Sequence, residues 1–66
     1  MNKEYFKQCR INSGFSQYRL ARHLGVYDST VYGWEVKGKY PKVDMIITLC
    51  KLLNMDSNIL LGLKEK

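Results

Sequence analysis

Between Leu20 and Trp34 the chain permits very little choice of local structure. Leu20, Ala21 and Leu24 fall on one side of a helix, Gly25 stops it, and Val31 and Trp34, three apart, start a second inner face. Only Gly25, Val26 and at most Tyr27 separate the two helices. Two short helices joined by a turn of about three residues make a helix-turn-helix. That geometry needs a small residue where the helices approach, and Ala21 supplies it. It needs a positive φ in the turn, which Gly25 adopts at little cost. Val31 is placed to plug the gap between the helices.

The rest of the chain reads as three more helices, with no competing strand pattern. The first runs from Asn2 to about Asn12, with Asn2 as N-cap and Glu4 in the positive first turn. Tyr5 and Phe6 share a face with Cys9, and Asn12-Ser13-Gly14 ends the helix. Ser16 caps the second helix, which continues to Leu24. The third spans about Asp28 to Val36 and is capped by Asp28 or Tyr27, Asp28 being the chemically better cap. Ser29, Tyr32 and Gly33 then fall on its outer side. Lys37 to Lys42 is a basic loop punctuated by Gly38 and Pro41. Ile46, Leu49, Cys50 and Leu53 form the stripe of a fourth helix, about Val43 to Leu53. Asp56 caps a last short helix through Leu61, Gly62 ends it, and residues 63–66 are expected to fray. The expectation is one all-α, five-helix domain over residues 1–66, with the helix-turn-helix at about 16–36.

Composition narrows the function. A chain of 66 residues has room for one small core and not for a cleft between domains. Eleven basic against six acidic residues give a net charge of +5, which favours polyanionic partners. Cys9, Cys50 and His23 have no metal-ligand spacing, so no metal or cofactor is expected, and the thiols read as reduced, buried, small hydrophobes. There is no paired acid-base set and no nucleophile with a partner, which argues against an enzyme. No basic helix has a wide apolar face, which argues against a membrane surface. With no signal peptide and no long apolar run, the expected location is the cytoplasm, on DNA.

The string SQYRLARHLGVYDSTVYGWE resembles the DNA-binding domain of the phage lambda-repressor and Cro proteins, the XRE-type family. The matching residues are Ser16-Gln17, Leu20-Ala21, Leu24-Gly25-Val26, Ser29-Thr30-Val31 and Trp34-Glu35, followed by Pro41, Leu49-Cys50-Lys51-Leu52-Leu53 and Ile59-Leu60-Leu61-Gly62. The resemblance implies a five-helix lambda-repressor-like domain of bacterial or phage type that binds operator DNA as a dimer. It implies a third helix in the major groove and a second across the backbone. By position, Tyr27, Asp28, Ser29, Tyr32 and Gly33 match the base-facing residues. Ser16 and Gln17 match the phosphate-binding helix end, and Lys37, Lys39 and Lys42 the backbone-gripping loop. Arg10 and Glu35 sit where the family commonly forms an internal ion pair.

Two departures stand out. Gly33 occupies a position where the family usually carries a longer polar side chain, and Glu35-Val36-Lys37-Gly38 displaces the customary glycine. Asp28 has two readings, as a cap or as an acceptor for a cytosine amino group, with capping favoured. The function expected is a sequence-specific transcriptional regulator, a repressor on a two-fold symmetric operator. The alternative is a protein-interaction module of the same fold, such as an antitoxin-type subunit. Exposure of Ile47, Met55, Ile59 or Leu63 would favour that alternative, or a dimer through the C-terminal helices.

Overall fold

Asn2 begins the first helix by accepting the Tyr5 N–H at 3.1 Å on its side-chain oxygen. The computed structural model describes residues 1–64 and contains five helices: α1 Lys3–Asn12, α2 Gln17–Leu24, α3 Asp28–Glu35, α4 Val43–Leu52 and α5 Ser57–Leu60. Ser16 accepts the Arg19 N–H at 3.1 Å and Asp56 the Asn58 N–H at 2.9 Å, so three helices start on a side-chain cap.

Gly25 takes a left-handed φ of 73°, and the amides of Gly25 and Val26 bond back to the carbonyls of Arg22 and Ala21. This closes α2 as a Schellman turn and delivers the chain into α3 three residues later. The cap of α3 is Tyr27, and no side chain caps it. The preference for Asp28 as cap is therefore corrected. A cap needs extended backbone, which Tyr27 has (φ −77°, ψ 152°), whereas Asp28 already lies inside the helix. Its carboxylate, in the first turn of α3, still complements the positive end of the helix dipole.

Phe6, Leu20, Ala21, Val31, Trp34, Leu49, Leu53, Met55 and Leu60 form one core drawn from every helix. Phe6 and Trp34 meet edge to face, with centroids 6.3 Å apart. Burying the Phe6 ring contributes about 1.5–3 kcal/mol. Cys9 and Cys50 are free thiols, half-buried against this core rather than fully buried as expected. Met55 is buried and Ile59 half-buried, whereas Ile47 and Leu63 are exposed. The amides of Leu63 and Lys64 both bond to the Asn58 carbonyl, and the Lys64 ammonium lies 3.1 Å from Asp56. The expected fraying of residues 65–66 lies outside the described residues. No helix among the described residues is long and apolar enough to cross a membrane.

Candidate nucleic-acid interface

Because Val31 and Trp34 turn inward, α3 turns Ser29 and Tyr32 outward, next to Asp28 and the cap residue Tyr27. Tyr27 is 83% exposed, the extreme for a large apolar side chain here. At that exposure its burial contributes little to the fold. Asp28, Ser29 and Tyr32 are also exposed. These four residues make a continuous polar and aromatic ledge at the start of α3.

Gly33 is different. It was expected on the outer side, but it is buried. The Lys39 side chain covers it, with Lys39 Cδ 3.4 Å from where a Cβ would stand. The Gly33 carbonyl accepts the amides of Lys37 at 3.2 Å and Lys39 at 3.0 Å. Gly38, at φ 70°, permits that return. The displaced glycine in Glu35-Val36-Lys37-Gly38 thus ends α3 and folds the basic loop back onto its outer face. Gly33→Ala adds helix propensity, and only the flexible end of Lys39 must adjust. The expected result is a gain of about 0.5–1 kcal/mol, read as a Tm raised by a few degrees. A lowered Tm would mean that Lys39 cannot move aside.

Ser29, Gly33, Lys37, Lys39 and Tyr40 line one open groove of about 370 Å³. Lys37, Lys39 and Lys42 are exposed. The structure thus brings part of the α3 ledge against two of the three loop lysines. Lys3 braces this loop from α1, donating to the Val36 carbonyl at 3.2 Å and packing on Gly38. Tyr40 was not singled out from sequence, although its place between Lys39 and Pro41 interleaves an aromatic with cations. It is exposed, and its hydroxyl accepts from the Met1 ammonium at 2.9 Å.

The beginning of α2 adjoins the end of α3 through a polar network. Arg10 Nε donates to Glu35 Oε1 at 2.7 Å, Arg10 Nη2 to Glu35 Oε2 at 3.2 Å, and Arg10 Nη1 to the Phe15 carbonyl at 2.6 Å. Gln17 Nε2 donates to Glu35 Oε2 at 2.6 Å. Arg10 and Glu35 are each only 8% exposed, yet every buried polar side-chain atom among the described residues has a partner. Burial raises the Glu35 pKa, but the hydrogen bonds from Arg10 and Gln17 and the Arg10 charge outweigh it, so the carboxyl ends below its ordinary value. The network leaves Gln17 one free amide N–H, directed by a fixed partner rather than by a mobile side chain. Ser16, exposed beside it, is occupied as the α2 cap.

A helix-turn-helix whose second member carries an exposed polar ledge, flanked by the start of the first helix and a lysine-rich loop, defines a nucleic-acid-binding class. The helix-turn-helix family model matches residues 6–60, and the chain belongs to this lambda-repressor-like, XRE-type family of DNA-binding regulators. No curated protein and no solved structure was found to match the chain.

Proposed function

We propose that this domain regulates transcription by occupying a specific operator, with α3 in the major groove and the start of α2 against the phosphates. Two copies sit on a two-fold symmetric site, and occupancy represses the promoter. One observation carries this reading: Tyr27, Asp28, Ser29 and Tyr32 are exposed on one ledge, and Ser29 of that ledge shares a groove with Lys37 and Lys39. Base readout and phosphate contact require that adjacency.

Each residue has a distinct part. Ser29 offers a hydroxyl that donates or accepts at a base edge. Tyr27 and Tyr32 pack on thymine methyls and donate to phosphate. Asp28, freed from capping, accepts from a cytosine amino group. Gly33 carries no side chain to read a base, and it lets Lys39 lie flat against α3. Gln17 donates its remaining N–H to a phosphate, and Lys37, Lys39 and Lys42 hold the flanking backbone.

Selection from random duplexes at several salt concentrations tests this. Enrichment of a palindromic consensus is expected, with affinity that falls steeply as salt rises. Gln17→Ala should weaken all duplexes about equally, whereas Ser29→Ala should cost roughly 1 kcal/mol at one base position only. Binding without sequence preference, or unchanged binding by both folded variants, sinks the proposal.

A further inference from the structure

The outer surface of α2 carries a second groove, separate from the residues assigned to DNA. Gly14, Phe15, Tyr18, Arg19, Arg22 and His23 line it, and it is open to solvent over about 600 Å³. Its cations lack carboxylate partners: neither Arg19 nor Arg22 forms an ion pair among the described residues. No Asp or Glu occurs between Glu4 and Asp28. Arg22 and His23 complement the negative end of α2, but Arg19 sits in its first turn, where a cation is unfavourable. The local helix therefore gives no reason for Arg19.

The aromatic groups here are arranged, not merely exposed. Phe15 and His23 meet edge to face with centroids 5.5 Å apart. Tyr18 is 58% exposed, and the Arg22 guanidinium carbon stands 6.0 Å from its ring centroid. A guanidinium resting on a ring keeps its N–H edge free, and that edge matches a carboxylate. We infer that this groove binds an acidic segment of a partner protein. Arg19 and Arg22 hold an Asp or Glu carboxylate, and a neighbouring apolar side chain lies against Phe15 and Tyr18. Nucleic acid suits the groove less well. Single strands stack successive bases on a row of open rings, whereas Phe15 is half-buried against the core and Tyr18 already carries Arg22 on one face, which leaves room for one side chain rather than a run of bases. A duplex offers a regular phosphate rail and no side chain to fill the aromatic floor.

Binding in this groove is independent of operator binding, so the two fail separately. A random peptide library displayed on phage is selected on the intact 66-residue chain, and the enriched peptides are synthesised and titrated by fluorescence anisotropy. Peptides pairing Asp or Glu with an aromatic or aliphatic residue are expected. Arg22→Ser should weaken them at least about tenfold, and Arg22→Lys by an intermediate factor, because an ammonium lacks the planar fork. Both variants should keep the parent Tm and the parent affinity for duplex DNA. The inference is overturned if no acidic consensus emerges, or if the peptides bind the Arg19→Ser and Arg22→Ser variants as well as the parent. It is overturned equally if Arg22→Ser weakens duplex binding by the same factor, which would make the groove a phosphate ledge.

Discussion

Glu35→Ala is expected to remove about 3–5 kcal/mol of folding free energy, because it strands a buried guanidinium without its counter-charge. Arg10 is 8% exposed and spends three N–H groups on Glu35 and the Phe15 carbonyl. At about 0.05–0.15 kcal/mol per residue, a chain of 66 residues has total stability of the same order as the loss. A large unfolded fraction is expected in buffer, read in urea titrations from the single tryptophan, Trp34. A change below about 1 kcal/mol would class the pair with surface ion pairs and overturn the claim. The double variant Arg10→Met, Glu35→Leu should recover part of the loss, since no charge is stranded. What is not recovered reports on the Phe15 carbonyl and Gln17, which both lose their partners. The pH dependence has a definite sign. The folded-state pKa of Glu35 lies below its ordinary value of 4.5. Its contribution is therefore complete above that value and is lost as pH falls through the lower folded one. Glu35→Gln should flatten that acid limb.

Local signals in this chain were strong enough to read directly. Asn2, Ser16 and Asp56 cap helices because their short polar side chains reach nearby amides, and Gly25 adopts the conformation the turn needs. The stripe from Ile46 to Leu53 and the pairing of Val31 with Trp34 follow from helical period alone. What could not be read depends on where the chain goes next. Asp28 has the better capping chemistry, but the Schellman turn at Gly25 and Val26 sets the path of the backbone and puts Tyr27 at the cap. Gly33 lies on the face expected from its period, yet the loop returns over it and covers it with Lys39. No periodicity encodes that return. The bond from Gln17 to Glu35 spans 18 positions and depends on how α2 meets α3. Sequence therefore placed the candidate interface on α2, α3 and the loop after α3, and left open which of its polar groups are already engaged.

Replacing Lys37, Lys39 and Lys42 together with Gln should weaken DNA binding about a hundredfold near 0.15 M salt, with no change in sequence preference. The magnitude follows from counterion release: each phosphate contact contributes about 0.9 to the slope of log affinity against log salt, so three contribute about 2.7. The variant should therefore show both the lower affinity and a slope shallower by that amount. Affinities of parent and variant should converge as salt approaches about 1 M. Preference should survive because a lysine on a phosphate carries no sequence information. Loop shape should survive as well. The loop is pinned by the Lys37 and Lys39 amides on the Gly33 carbonyl and by Lys3 on the Val36 carbonyl, and none of these bonds uses a substituted side chain. An unchanged Tm checks that point. If affinity falls with the slope unaltered, the lysines act through structure rather than charge. If the loss is confined to some operators, at least one of them reads a base, and the groove shared by Ser29, Lys37 and Lys39 is where that contact would lie.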